Sequence, residues 1–155
     1  MNTSGIVSEA LAIQKIISEE LSAKSVVPEK IHRILKSLVD SLKADGALLY
    51  ATVDENYLEL MGRYNVDEYK NNIRYEEGII GSSASSKIVR FSTDSAKNIS
   101  EICIPITRLH ITIGVIVLLK HNADGYDDAK VEEIETLCLP LVDLVSSRMF
   151  EDYKN

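Results

Sequence analysis

The segment whose residue types most clearly suggest a chemical function is Gly78–Ser86, with the sequence GIIGSSASS. It combines small residues with hydroxyl side chains such as that of Ser82. A helix N-terminus binds anions, because the backbone N–H groups of its first turn lack intrahelical partners. The segment lacks the lysine–serine ending of a phosphate-binding loop. Two interpretations stay open: an anion-binding helix start, or a small-residue helix that packs closely against a sheet.

Six further residues on predicted strands or directly after one are candidates for contact with a ligand: Tyr50, Met61, Phe91, Thr93, Asp94 and Ile104. Phe91, Thr93 and Asp94 end an alternating segment that faces the same region as Gly78–Ser86. Asp94 would serve equally well as a cap or turn residue. Tyr50, Met61 and Ile104 would line a pocket or else belong to the core. The sequence leaves these alternatives open.

Catalytic and metal-binding chemistry finds little support in the sequence. Cys103 and Cys138 are each surrounded by apolar residues, which is typical of reduced, buried thiols in a cytosolic protein. The three histidines are scattered, and none has a partner at metal-ligand spacing. The acidic pairs at 127–128 and 132–133 suit a helix start and a solvated helix face. We therefore expect no catalytic residue, no metal site and no cofactor.

Length and charge restrict the class of protein further. A chain of 155 residues is enough for one domain with a good core. The formal net charge of −7 argues against nucleic acid as a partner, because phosphate binding needs a clustered basic face. No apolar run reaches the roughly 18 residues of a membrane helix. Acidic residues within the apolar pattern of the N-terminal segment argue against a secretory signal. We expect a cytoplasmic protein without membrane contact.

These candidates depend on a strongly apolar segment at residues 101–120. Ile102, Ile104 and Ile106 alternate with other residues at the two-residue period of a strand. Residues 111–119 are apolar on both faces, which predicts a central strand that is covered by helices on both sides. Residues 107–110 between them would form a hairpin turn.

The rest of the chain predicts an α+β layout with one antiparallel sheet. Residues 65–72 are polar and receive no assignment. Gly46 is expected to end the second helix in a left-handed conformation. The final helix is expected to begin at Asp127 and to bend at Pro140. The predicted elements are helices at 4–22, 28–45, 78–86 and from 127, and strands at 47–53, 57–64, 73–75, 87–93, 102–107 and 111–119.

In this order, several short motifs resemble those of a GAF domain, over about residues 28–150. The motifs are DG at 45–46, ALLY at 47–50, EEGIIG at 76–81, ICIPI at 102–106, IGVIV at 113–117 and YDD at 126–128. YLEL at 57–60 and the segment at 121–137 are most similar to the subgroup found at the N-terminus of bacterial nitrogen-branch phosphotransferase-system enzyme I. A domain excised from a longer protein and a stand-alone protein are both compatible with the sequence.

The resemblance implies a central antiparallel sheet of about six strands, with the N- and C-terminal helices on one face. The short helix and loops on the other face would enclose a small-molecule pocket, bordered by Gly78, Ile79, Ile80 and Ser82. It also implies a homodimer formed through the terminal helices. We expect a single domain at residues 1–155, with an N-terminal helix at 1–27 and a core at 28–150.

Three functions are compatible with this resemblance. The first is a non-catalytic regulatory domain that binds a small metabolite and controls a phosphotransferase or other signalling output. The second is a ligand-free assembly module, which the short connection at residues 94–100 favours, because a short lid buries little ligand. The third is a free-methionine sulfoxide reductase. It would need a reactive thiol in the region where this chain has Ile79 and Ile80.

Overall fold

The structure is a computed structural model that describes residues 27–54, 56–94 and 96–121. Its elements are α1 (Val27–Leu42), β1 (Gly46–Asp54), β2 (Tyr57–Tyr64), β3 (Asn72–Arg74), α2 (Gly78–Ser86), β4 (Arg90–Asp94), β5 (Ile99–Arg108) and β6 (Ile111–Lys120). The six strands form one antiparallel sheet in the order β3-β2-β1-β6-β5-β4. The α+β prediction is confirmed. The helices predicted at 4–22 and from Asp127 lie outside the described residues, so the division into an N-terminal helix and a core stays a prediction.

The predicted hairpin lies in the interior of the sheet, as its apolar pattern indicates. β6 is flanked by β1 and β5, and its residues from Thr112 to Leu118 are buried. Ile116 and Leu118 belong to an apolar core on the α1 face, while Val115 and Val117 belong to a second core on the α2 face. Burying one such side chain contributes roughly 1.5–3 kcal/mol. The two faces of β6 therefore anchor both cores.

Helix α1 covers β1 and β2 with an apolar stripe. Residues Ile31, Ile34, Leu35, Leu38 and Leu42 recur at spacings of three and four and are buried against the sheet. The helix approaches β2 closely at Gly62. A Cβ atom on Gly62 would lie 2.3 Å from the Cγ2 atom of Ile31. Any larger residue at this position would have to displace the Ile31 side chain.

The end of α1 differs from its prediction. Lys43, with φ of 57°, takes the left-handed conformation, and the Ala44 N–H donates to the Val39 carbonyl at 3.0 Å. This six-to-one bond is the Schellman ending. The assignment of the left-handed cap to Gly46 was wrong, because Gly46 is already the first residue of β1. Its Cβ would lie 2.8 Å from Val66 Cγ2, so close packing against the loop requires glycine there.

Helix α2 packs on the opposite face of the sheet through small residues and hydroxyl bonds. The Ser83 hydroxyl donates to the Cys103 carbonyl at 3.2 Å, and the Thr112 hydroxyl donates to the Ala84 carbonyl at 2.8 Å. A Cβ on Gly81 would lie 2.2 Å from the Arg74 carbonyl oxygen. The packing interpretation of Gly78–Ser86 thus holds for the middle of the helix.

Two β-bulges change which face some side chains occupy. In the β1–β2 ladder, Leu49 pairs with Gly62 and Tyr50 pairs with Leu60, so Met61 between them is unpaired. In the β5–β6 ladder the register shifts after Ile106, which leaves Ile113 unpaired and turns Thr112 toward α2. An extra residue in one strand reverses the alternation beyond it. The bulges therefore decide the composition of each core.

The contact at Gly81 predicts a specific cost for an added methyl group. The change Gly81→Ala should lower the free energy of unfolding by about 1–3 kcal/mol, because Cβ meets backbone that cannot rotate away. Without this contact, alanine would stabilise a helix by roughly 1 kcal/mol relative to glycine. Urea unfolding followed by circular dichroism measures the difference. The exposed Ser85→Ala on the same helix is the matched control, and equal stability of the two variants would disprove the close contact.

Candidate ligand-binding site

A cavity of about 430 Å³ lies between the sheet, the N-terminus of α2 and the loop at residues 65–71. Its apolar lining comes from β1, β3, β6 and the first turn of α2, namely Leu48, Ile73, Ile79, Ile80, Val117 and Leu119. Its polar lining comes from Tyr50, Glu68, Tyr69, Lys70, Glu77 and Glu101. A largely apolar surface with a few convergent polar groups is typical of a small-molecule site.

The loop at residues 65–71 forms one wall and is fixed by contacts with the sheet. The Tyr50 hydroxyl donates to the Lys70 carbonyl at 2.7 Å, and the Leu60 N–H donates to the Asn71 carbonyl at 2.8 Å. The Arg63 guanidinium lies 4.5 Å from the centroid of the Tyr69 ring. Burial, with a smaller contribution from the nearby negative charge of Glu101, raises the pKa of Tyr50 to about 12. Its hydroxyl therefore remains a donor at neutral pH.

The N-terminus of α2 opens into the cavity. Glu77 occupies the N-cap position, but its side chain makes no capping bond and instead pairs with the Lys70 ammonium at 3.0 Å. The hydrogen bond from Lys70 is the main reason that the pKa of Glu77 is lowered. Gly78 begins the helix at φ of +56°, and no heavy atom lies within 4 Å of the point that a Cβ atom would occupy. The N–H groups of the first turn are thus not capped by Glu77.

Glu101 supplies a half-buried carboxylate from β5. It lies opposite Leu119 in the ladder, and the Cys103 thiol donates to its Oε1 atom at 3.6 Å. Burial raises the pKa of Glu101, and the bond from Cys103 offsets part of that increase. The carboxylate faces a cavity whose floor is apolar, so a positively charged ligand group would relieve its desolvation.

The thiol beside this carboxylate is a poor nucleophile. Cys103 is buried and unpaired with another cysteine, as its apolar surroundings predicted. Burial is the largest reason that the pKa of Cys103 is raised, followed by the charge and hydrogen bond of Glu101. Because the thiolate is the reactive form, Cys103 is held in the unreactive state. Cys138 lies outside the described residues.

The cavity is acidic overall. Three carboxylates (Glu68, Glu77 and Glu101) face one ammonium group, that of Lys70, which is already paired with Glu77. The unpaired N–H groups of α2 carry a partial positive charge at one end. The site can therefore hold an ammonium group near Glu101 and a carboxylate or carbonyl oxygen near the first turn of α2. A polyanion such as a nucleotide triphosphate suits it poorly.

The structure brings together four of the ten residues that sequence reasoning selected. Tyr50, Gly78, Ile79 and Ile80 line the cavity. Ser82 lies on the second turn of α2 and outside the lining, where its carbonyl accepts from Ser85 and Ser86.

Five of the selected residues lie away from the cavity: Met61, Phe91, Thr93, Asp94 and Ile104. Met61 and Ile104 belong to the core on the α1 face, which is the second of the two placements that the sequence left open for them. Phe91 pairs with Ile102 and shares its face, opposite the cavity. All of β4 is exposed at the sheet edge.

Sequence reasoning missed most of the polar lining. Glu68, Tyr69 and Lys70 lie in the loop that received no assignment, although an aromatic residue within a polar segment is a usable signal. Glu101 stands at the start of an apolar strand, and a carboxylate beside such a strand indicates either a solvated end or a site. Glu77 was noted only as part of a motif. The apolar lining follows from strand alternation once the bulges are known.

Metal-binding clusters and membrane helices do not occur in the described part of the chain. It contains no group of three or more His, Cys, Asp or Glu side chains arranged to hold a metal ion. Among the described helices, none has the length and apolar character needed to cross a membrane. His110 is exposed in the β5–β6 turn, where Leu109 and His110 both have positive φ.

Comparison with known proteins gives results at the level of fold. A scan against protein-family models finds no match, and a search of curated proteins finds none either. Among solved structures, the GAF domain of an Acinetobacter phosphoenolpyruvate-protein phosphotransferase is 17% identical, with a TM-score of 0.72. The alignment covers 87% of this chain and 90% of that one.

Two further structures share the fold. The GAF domain of a Coxiella burnetii phosphoenolpyruvate-protein phosphotransferase is 16% identical, has a TM-score of 0.74, and aligns over 99% of this chain and 98% of that one. A free methionine-R-sulfoxide reductase from Neisseria meningitidis, in complex with its substrate, is 16% identical, has a TM-score of 0.71, and aligns over 86% of each chain. At such low identity the likeness is one of fold. In the part that the structure describes, the chain has the GAF fold that its motifs predicted.

Proposed function

We propose that this chain is a non-catalytic sensory domain that binds a small metabolite under the N-terminus of α2 and regulates a signalling output. The observation that carries the proposal is the cavity of about 430 Å³ with its half-buried Glu101 carboxylate. This volume falls in the range of about 300–1,000 Å³ that small-molecule sites occupy. The solved GAF domains of phosphoenolpyruvate-protein phosphotransferases make a phosphotransferase the output that we propose first.

The charge of the cavity supports a ligand with an ammonium group. The Glu101 carboxylate would accept a hydrogen bond from that ammonium group. The free N–H groups of α2 would donate hydrogen bonds to a carboxylate on the same molecule. The apolar lining from Leu48, Val117 and Leu119 would contact an aliphatic side chain. An amino acid combines these three features. The reductase of similar fold is named for free methionine-R-sulfoxide, itself an amino acid derivative.

The ligand-free assembly module is the second candidate, and the cavity argues against it. In the sequence, the short connection at residues 94–100 favours this function, because a short connection would make a poor lid over a ligand. None of the described residues of that connection lines the cavity, and one wall of the cavity is instead the loop at residues 65–71. The proposed dimer through the terminal helices involves residues outside the described part and stays a prediction. Its test is sedimentation of the full chain beside a variant that lacks residues 1–22.

Calorimetric titration of the full chain tests the ligand class. We expect one or more aliphatic amino acids to bind, while 2-oxo acids and nucleotides do not. Glu101→Gln keeps the shape and removes the charge, so it should weaken binding by about tenfold or more, since a charge-assisted hydrogen bond contributes about 1.5–3 kcal/mol. Glu59→Gln, on the exposed side of β2, is the matched control. No thermal stabilisation by any of these compounds at millimolar concentration would refute the sensor.

Stability against pH tests the state of Glu101 without a ligand. Burial raises its pKa above the ordinary 4.5, so the folded chain binds this proton more tightly than the unfolded chain. The resulting stabilisation is complete below about pH 4.5 and is lost as pH rises through the folded pKa. Glu101→Gln should therefore be more stable than the unchanged protein at pH 7 and similar at pH 4. Urea unfolding at both pH values measures this, and a less stable variant at pH 7 would contradict it.

Alkylation of Cys103 tests the reductase alternative. With iodoacetamide at pH 8, the native chain should leave Cys103 unmodified over hours, because the thiol is buried and its pKa is raised. Peptide mass spectrometry reads the modification at each cysteine separately. The same reaction in urea is the control and should modify Cys103 fully. Rapid labelling of native Cys103 would restore the thiol enzyme as a candidate.

A further inference from the structure

We infer that β4 is a docking edge for the β4 strand of a second copy of this chain, paired antiparallel about a two-fold axis at Ser92. In the described residues, β4 pairs with β5 on one side and with no strand on the other. All five of its residues are exposed. An edge strand presents unpaired N–H and C=O groups that another strand can use.

The edge lacks two features that often prevent such pairing, a bulge and a proline. The β4–β5 register runs without a shift from Arg90 opposite Cys103 to Asp94 opposite Ile99. No proline interrupts the strand, whose sequence is RFSTD. Natural edges are commonly blocked by bulges, prolines, charged side chains or a very short strand. β4 is short and has charges at its ends, but these two charges, of Arg90 and Asp94, are opposite in sign. β4 has a regular backbone and therefore remains competent to add a strand.

Charge complementarity selects a second copy and one register. Antiparallel pairing centred on Ser92 places Arg90 opposite Asp94 of the second copy, and this happens twice because the arrangement is two-fold. Opposite residues in such a ladder have Cβ atoms about 4.5–5.5 Å apart, within reach of an ion pair. A register centred on Phe91 would instead place Asp94 opposite Ile88. Arg90 has no ion pair within the described residues, and Asp94 uses only Oδ1, as acceptor from the Lys97 N–H at 3.2 Å.

Apolar exposure supports the same register. Phe91 is 57% exposed, and it lies on the α1 face with its ladder partner Ile102. In the two-fold pair it would face Thr93 of the second copy. The two Phe91 rings would then be diagonal neighbours at about 7–8 Å, a distance that aromatic side chains span. Pairing would cover both rings, which a monomer leaves in water.

A charge exchange tests the pairing in the full chain. Sedimentation equilibrium should show an assembly that doubles in mass with concentration. R90D and D94R each place like charges opposite one another, so each should weaken this association by at least tenfold. The double variant R90D/D94R restores complementarity and should associate within threefold of the unchanged chain. The mass of the unchanged chain is compared with the mass of R90D. Any assembly through other parts of the chain is present in both, so a twofold difference reports pairing of β4. K36D, exposed on α1, matches the charge change of R90D and should have no effect.

A cross-link tests the register independently. Ser92 lies on the proposed axis, so the two Ser92 Cα atoms would be about 4.5–5.5 Å apart, a separation that a disulfide spans. S92C should oxidise to a dimer joined through residue 92, as peptide mapping would show, while T107C, exposed on β5, should not. Three results would each overturn the inference. The first is that the single charge variants associate like the unchanged chain, and the second is that the double variant associates as weakly as the single variants. The third is equal cross-linking of S92C and T107C. A partner other than a second copy would give the first of these results.

Discussion

The burial of β6 on both faces is the constraint on which the rest of the structure depends. A strand that is apolar on both sides exposes apolar surface to water on either face unless it is covered, so each side must be covered by another layer. Helix α1 and its stripe contribute to one cover, and α2 with Val115 and Val117 beneath it contributes to the other. Because α2 is only nine residues long, it covers only part of its face. The part that its N-terminus leaves open, above Val117 and Leu119, is the floor of the cavity.

The chemistry of the cavity follows from one pair of neighbours on β5. Glu101 and Cys103 point to the same face, and burial disfavours the charged form of each. The carboxylate is the more acidic group and takes the charge, which further disfavours a thiolate beside it. A site arranged in this way disfavours a Cys103 thiolate, and it places a partly desolvated carboxyl group beside the cavity. The same two residues thus argue against thiol catalysis at Cys103 and in favour of cation recognition.

The helices and strands with regular hydrophobic periodicity were predictable from sequence. The bulges and the irregular loop, which interrupt that periodicity, were not. β2 and α2 have the bounds that alternation and small-residue content predicted, and the central hairpin follows from its apolar pattern. The unpaired position of Met61 could not be predicted from β2 alone, because a bulge depends on how β1 and β2 pair. Gly46 was misinterpreted because its need for glycine comes from Val66, 20 residues later, rather than from its own φ. The loop at residues 65–71 has no period at all, and its path is set by distant contacts such as that of Tyr50 with Lys70.

The two interpretations of Gly78–Ser86 concern different halves of one helix. Gly81, Ser83 and Ala84 are buried against the sheet, and there small size matters because backbone approaches backbone. Gly78, Ile79 and Ile80 border the cavity, and there no side chain caps the N–H groups of the first turn. The close packing of the second half holds the helix axis in place, which fixes the direction of the N–H groups in the first half. A ligand that bonds to those groups would therefore meet a rigid donor set, and its binding would cost little ordering entropy on the protein side.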